Sequence, residues 1–364
     1  MSEKSDFKDI LNTKNNLIGF ENGVFDLDLM KFREGAYKDY ISYSTKYDFK
    51  YEYGENKEHL MRFLEEIQPE KKQLHYLLKF LSTCLFGKNK IEKFHVFQGI
   101  GRNGKSKLIE MISYTFGDYY VSVQSQLLTK EQPSASNPRP EILTLKGKRI
   151  VCASEPENNQ KLNTSFIKFL SGNDILTARA LFENEIVSFI PQFSMILLCN
   201  DVPLFDNQND HAMWERCRYI NFPITFVDDP KNNNQKKIDY NLSDKLVHWK
   251  EDFMLLLIEY YKLYIKEGLL PEQTVLKFTN EIKDEQNIYK QYMIERTIKA
   301  DTHIHTSVLY GDFIKWTMQN NPDEKNIASN KLFVKELRNI GYNVEKGIRV
   351  EKLTTIGIKN LQLK

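Results

Sequence analysis

The sequence is short of cysteine, of long apolar runs and of net charge, and each shortage removes a class of protein. Its 364 residues hold four cysteines, Cys84, Cys152, Cys199 and Cys217. None forms a C-x-x-C pair and each lies in an apolar context, which excludes a zinc ribbon and a disulfide framework and reads as reduced, intracellular thiols. The longest apolar-rich run, residues 253–265, carries Glu259 and Lys262 and is too short to span a bilayer. The first residues, MSEKSDFKDILNTKN, are polar and lack the apolar stretch of a secretory signal. The expectation is a cytoplasmic protein without a membrane partner. A formal charge of +2 gives no global basic excess, so any nucleic-acid contact has to come from local patches.

The composition itself is globular, with 41% hydrophobic and 27% charged residues. Residues 17–53 alternate aromatic and polar side chains around Asn-Gly and Glu-Gly, which predicts short hairpins. Residues 57–86 carry apolar side chains at spacings of three and four, interrupted at Pro69, which predicts two helices. From 91 to 227 strand and helix patterns alternate, with a Pro-rich loop at 130–142 and a polar surface loop at 228–237. Helical patterns continue to about 298. The segment 306–364 reads helix, helix, then strand-turn-strand around Gly347, the order of a winged helix. From Lys331 to Lys364 eight Lys or Arg face three Glu, a local excess that suits either DNA or a solvated partner-docking face. The expected boundaries are 1–86, an accessory domain; 87–228, the core; 229–298, a helical segment; and 299–364, the winged-helix-like domain. The fold class is α/β.

The run FHVFQGIGRNGKSKLIEMI carries the chemistry. Gly99, Gly101, Asn103, Gly104, Lys105 and Ser106 fall within a G-x-x-x-x-G-K-[ST] match. A strand-like segment precedes it and a helix-like one follows. Such a loop curls backbone N–H groups around phosphates in conformations that glycine reaches cheaply, and the helix start adds positive dipole. Lys105 would reach the β- and γ-phosphates and Ser106 would hold Mg²⁺.

Carboxylates and arginines follow in order. An apolar run, Ile150–Ala153, ends at Glu155 and Glu157, where an α/β sheet delivers side chains to its site. One would organise the Mg²⁺ shell and the other would orient a water. A third strand ends at Asn200, a candidate contact for the γ-phosphate. Arg216 and Arg218 precede another strand, and arginine suits spreading phosphoryl charge. Asp26 and Asp28 alternate like metal ligands, but the Asn-Gly just before them explains the stretch as a hairpin. On residues alone, a small-molecule kinase and a nucleotide-gated DNA-binding initiator or scaffold stay open.

The spaced set, G-x-G-x-N-G-K-S, G-K-R-(apolar)-E-P-E, FIKFLSGNDILTARALFE, LLCNDVP and W-x-R-x-R before INFP, resembles superfamily 3 helicases. The nearest branch is the viral, phage and plasmid primase-helicases of poxvirus and satellite-phage type, whose leading segment NLIGFENGVFDL is similar to. The resemblance implies a P-loop AAA+-like ATPase core behind a small N-terminal α+β domain. It implies a ring, typically a hexamer, that hydrolyses ATP with Mg²⁺ and draws single-stranded DNA at a fork, with a primase domain or other replication proteins as partners. By the same resemblance Glu155 and Glu157 take the Walker B position, Asn200 the sensor and Arg216 or Arg218 the finger that acts on a neighbour's nucleotide, Arg216 being favoured. It also places a DNA-gripping hairpin between Glu157 and Asn200, with Lys168 and Arg179 as phosphate contacts. The tip of that hairpin, Phe182 to Glu185, is acidic, a departure from the basic loop expected there.

Overall fold

Aromatic residues alternating around Asn22-Gly23 build a three-stranded antiparallel sheet of β1 (Leu17–Phe20), β2 (Gly23–Asp26) and β3 (Lys31–Arg33). Gly23 has φ +155°, and a Cβ there would stand 2.5 Å from the Arg33 carbonyl oxygen, so this turn requires glycine. Asp26 closes β2 by accepting from the backbone N–H groups of Asp28 and Leu29 at 3.0 and 3.2 Å, which makes the Asp26–Asp28 pair a strand end and a turn. The computed structural model describes residue 7 and residues 10–129, 138–157, 160–208, 210–320 and 327–364. Most of the Pro-rich loop expected at 130–142, residues 130–137, lies outside the described residues. The chain divides into units Met1–Asn280 and Glu281–Lys364.

In the first unit, helix α1 (Lys57–Ile67) buries Leu60, Phe63, Leu64 and Ile67, the stripe expected of an amphipathic helix. Helix α2 (Lys71–Thr83) begins after Pro69 and is capped by the Glu70 carboxylate, which accepts from the N–H groups of Lys72 and Gln73. The central sheet has five parallel strands in the order β10-β4-β9-β6-β5, namely β4 (Phe94–Gln98), β5 (Tyr120–Val123), β6 (Ile150–Ala153), β9 (Ser194–Cys199) and β10 (Cys217–Asn221). Parallel strands need crossovers that cover both sheet faces, hence the continuous apolar runs of β4, β6 and β9. Helix α3 (Lys105–Phe116) follows β4, and α4 (Thr164–Ser171) and α5 (His211–Arg216) flank the later strands. Strands β7 (Leu176–Arg179) and β8 (Ile186–Phe189) form a separate antiparallel hairpin. The stretch 228–237, expected as surface loop, includes β12 (Gln235–Lys237), which pairs in parallel with β11 (Thr225–Val227). One core joins Ile18 and Phe25 of the first sheet, Leu64 and Leu77 of α1 and α2, Phe97 and Met111 around the central sheet, and Phe253 and Leu257 of α6 (Lys250–Glu267).

The second unit holds α7 (Ile288–Arg296), β13 (Thr297–His305), α8 (Thr306–Asn320), α9 (Asn330–Asn339), β14 (Val344–Val350) and β15 (Leu353–Leu363). Its antiparallel sheet runs β13-β15-β14 over a core of Tyr292, Leu309, Phe313 and Phe333. The turn expected at Gly347 stands elsewhere. Gly347 lies inside β14 at φ +76°, where the register with β15 shifts, and the chain reverses at Glu351-Lys352. A glycine inside a strand marks a bulge as readily as a turn. Among the described residues no helix is long and apolar enough to cross a membrane.

Candidate functional site

The loop from Gly99 to Gly104 must carry the chain from a buried strand into a helix, and its backbone is unusual. Gly104 takes φ +85° and Arg102 φ +54°. A Cβ on Gly104 would strike the Ile67 side chain of α1, and one on Gly99 would lie 2.6 Å from the Phe222 carbonyl oxygen. Around Gly101 nothing lies within 4 Å of the Cβ position, so this glycine keeps the loop open rather than tightly packed.

Lys105 opens α3 and is only 5% exposed. Its ammonium donates to the Gly99 carbonyl oxygen and to Asn200 Oδ1, the latter at 3.1 Å. Burial lowers its pKa, while Cys199 and Glu155 nearby act in the opposite direction. A desolvated cation whose hydrogen-bond partners here are uncharged is arranged for an incoming anion. Asn103 is buried, its Oδ1 accepts from Lys105 N at 3.4 Å, and its Nδ2 lacks a partner. Ser106 is exposed in the first turn of α3.

Sheet order brings the remaining groups to this loop. Strand β9 lies between β4 and β6, so Asn200, just past β9, stands between Lys105 and Glu155. The Asn200 backbone N–H donates to Glu155 Oε1 at 2.5 Å and its side-chain amide to Oε2 at 2.9 Å. Asn200 Oδ1 also accepts from Gly101 N at 3.3 Å, and Gln98 Nε2 donates to the Asn200 carbonyl oxygen at 3.0 Å. Glu155, Asn200, Lys105 and Gly99 therefore form one polar chain across three strand ends. Glu157 is exposed outside it, accepting from Gln160 Nε2 at 3.0 Å. Among the described residues no cluster of three or more His, Cys, Asp or Glu could hold a metal. An exposed serine hydroxyl beside a phosphate loop instead suits Mg²⁺ carried largely by a nucleotide's own phosphates.

The two arginines stand apart from this constellation. Cys217 pairs with Phe94 and Asn221 with Gln98, so Arg216 and Arg218 lie at the edge of the sheet opposite the loop. At a rise of roughly 3.3 Å per residue that edge is on the order of 15 Å away. Arg216 ends α5 and pairs with Glu92 at 3.2 Å. Arg218 is buried and donates to the carbonyl oxygens of Glu215 and Cys217 at 3.0 and 2.6 Å.

Lys168, on α4, pairs with Asp210 at 2.5 Å, and Asp210 also caps α5 by accepting from Met213 N at 3.0 Å. Arg179 ends β7 and donates to the Glu183 carbonyl oxygen at 2.9 Å, within the hairpin turn. The sequence reading passed over the tip's aromatic. Phe182 is fully exposed at φ +64°, with Leu181 and Ile186 exposed beside it. A lone aromatic at a hairpin apex was the available signal.

Residues 2–69 match the family described as D5 N terminal like. The chain is 37% identical over 326 residues to "Putative helicase L207/L206" of Acanthamoeba polyphaga mimivirus, covering 85% of this chain and 34% of that protein. It is 25% identical over 283 residues to "Putative primase C962R" of African swine fever virus, covering 74% of this chain and 29% of that protein. In fold it is similar to the apo C-terminal region of NrS-1, with TM-score 0.50 and 14% identity, covering 92% of this chain and 72% of that one. The chain spans about a third of the length of the curated relatives it matches. By its leading segment and these relatives, the chain is similar to viral proteins named as putative helicases and putative primases.

Proposed function

We propose that this chain is the motor part of a viral replication helicase, an ATP-hydrolysing P-loop core of AAA+-like, superfamily 3 type acting on single-stranded DNA. The observation that carries the reading is the polar chain from Glu155 through Asn200 to Lys105 and the Gly99 carbonyl oxygen. It gathers a carboxylate, a sensor amide and a phosphate-seeking ammonium at the C-terminal ends of adjacent parallel strands, where open α/β sheets bind ligands.

In this reading the open backbone around Gly101 receives the phosphates and Lys105 exchanges Asn200 Oδ1 for phosphate oxygen. The Ser106 hydroxyl and the Glu155 side of the site would hold Mg²⁺, which would supply neutralisation of phosphate charge. Glu155, fixed by both Asn200 nitrogens, orients the attacking water, and Glu157 borders the same edge. Asn200, released from Lys105, reports the state of the γ-phosphate to β9.

Arg216 is too far from its own chain's loop to act there, so it serves a neighbour's nucleotide in a ring, a hexamer by resemblance. The β7–β8 hairpin then contacts single-stranded DNA, with Phe182 stacking on bases where a basic tip would have gripped phosphates. The C-terminal unit, read as a winged helix, meets flanking duplex or a replication partner.

ATP turnover with and without single-stranded DNA tests this reading, with Lys105→Ala beside the unaltered chain. DNA-stimulated turnover that Lys105→Ala abolishes supports the motor. Turnover indifferent to DNA would leave a P-loop enzyme or a nucleotide-gated scaffold.

A further inference from the structure

We infer that the cavity beside the phosphate loop seats the nucleoside end of the nucleotide, and that α1, within the D5 N terminal like segment, forms one of its walls. The inference rests on the phosphate-loop reading above and extends it. The cavity measures about 680 Å³ and begins at Gly104, Ser106 and Lys107, where the triphosphate would end. That volume lies in the range of small-ligand pockets, and the lining follows their pattern of an apolar floor with a polar rim.

The floor is aromatic. Phe63 of α1 and Trp249 are both buried, with ring centroids 6.0 Å apart, and Phe226 lies beside them. The Phe226 N–H donates to the Arg102 carbonyl oxygen at 2.7 Å, which fastens the floor to the phosphate loop itself. Flat aromatic faces suit the face of a base. The rim offers both donors and acceptors: Arg62 and Glu66 come from α1, and Asp239 and Tyr240 from the opposite side. Lys245 pairs with Asp239 at 2.6 Å, and the Tyr240 hydroxyl donates to Asp228 Oδ1 at 2.7 Å, so that side is held in place.

Helix α1 is fixed against the site. Ile67 abuts the Cβ position of Gly104, and just past the helix Gln68 Nε2 donates to the Asn221 carbonyl oxygen at 2.9 Å. A ligand that loosened α1 would disturb Gly104, and one that packed on Phe63 would steady it. The leading segment is thereby part of the nucleotide site, and nucleoside recognition is built within a single chain.

The test is calorimetric binding of Mg-ATP and of Mg-tripolyphosphate, which has no nucleoside, to the full chain. The variants are Lys105→Ala, Phe226→Ala, and the paired surface change Arg62→Ala with Tyr240→Ala, which leaves the core intact. The expected result is an ATP affinity at least tenfold weaker in Phe226→Ala and in the paired variant, with tripolyphosphate affinity within twofold of the unaltered chain. Lys105→Ala should weaken both ligands. Equal loss of both ligands in the cavity variants, or no loss of either while Lys105→Ala still weakens both, places the nucleoside elsewhere and overturns the inference alone. ATP binding that survives Lys105→Ala overturns the phosphate-loop reading and this inference with it.

Discussion

Asn200 holds Glu155 with both of its nitrogens, the backbone N–H at 2.5 Å and the side-chain amide at 2.9 Å. Two donors on one carboxylate fix its orientation. Glu155→Gln keeps the shape and removes the charge. It should lower ATP turnover by about 10²-fold or more, with ATP affinity nearly unchanged. Asn200→Ala should also lower the turnover number, by freeing Glu155, and single-turnover kinetics would separate this from a change in binding. Unaltered turnover in Glu155→Gln would transfer the role to Glu157.

Arg216 and Arg218 are two residues apart and should behave differently. Arg216 is partly exposed and paired with Glu92, so Arg216→Ala should leave the unfolding free energy nearly unchanged, within about ±0.5 kcal/mol. It should nevertheless abolish assembled turnover if it serves a neighbour. Mixing Arg216→Ala with Lys105→Ala chains checks this directly. Each defect lies in a different half of a shared site, so some interfaces regain both groups and activity returns in part. No recovery on mixing, with assembly intact, would count against a shared site. Arg218 is buried against its own backbone, so Arg218→Ala should lower stability first.

The strand, glycine turn and helix around residues 94–116 were legible because their constraint is local: glycines where the backbone turns, and Lys-Ser at a helix start. The strands ending at Glu155 and Asn200 were legible because parallel strands buried on both faces must be apolar runs. Their contact was not, since it depends on β9 lying between β4 and β6, a matter of sheet order. Strand register also placed Arg216 at the far edge of the sheet. Gly347 was misread because a bulge and a turn both call for glycine, and only the cross-strand pairing with β15 separates them. The cavity wall on α1 was hidden because Phe63 has the spacing of any core residue.

Arg149 ties the leading segment to the central sheet. Its guanidinium is buried and donates to the carbonyl oxygens of Leu17 and Lys14 at 3.0 and 3.2 Å, and burial pushes its pKa down to about 10. A Cβ on Gly87 would fall on Arg149 Nη1. Gly87→Ala should therefore destabilise the first unit by about 1–3 kcal/mol through overpacking. Thermal unfolding checks this, and an unchanged melting temperature would mean the guanidinium can move aside.

Asp39 gives a pH dependence with a definite sign. The Arg33 guanidinium, hydrogen-bonded at 2.8 Å to each carboxylate oxygen, holds its pKa below the ordinary range against the effect of burial. A carboxyl lowered on folding contributes stability that is complete above the unfolded pKa and lost as pH falls through the folded one. Asp39→Asn should cost about 1.5–3 kcal/mol near neutral pH, the scale of a charged hydrogen bond. The gap between the two proteins should close as pH drops below about 4, where the unfolded-state carboxyl protonates. Denaturant melts across that range measure it, and a gap that stays constant with pH would assign the loss to packing.

Phe182 offers the sharpest test of the hairpin. It is the fully exposed apex of a turn in which Arg179 is engaged with the Glu183 backbone, and Lys168 is paired with Asp210. The basic residues near the hairpin are thus partly committed, while the aromatic face is open. Stacking on an unpaired base contributes about 1–3 kcal/mol. Phe182→Ala should weaken single-stranded DNA binding by that amount and reduce DNA stimulation, while DNA-free turnover stays the same. Stacking tolerates salt better than phosphate contact does, so the affinity lost should be similar at low and high salt. A loss that vanishes at high salt would instead mark the hairpin as an electrostatic grip, and the commitment of Lys168 to Asp210 would then have to break on binding.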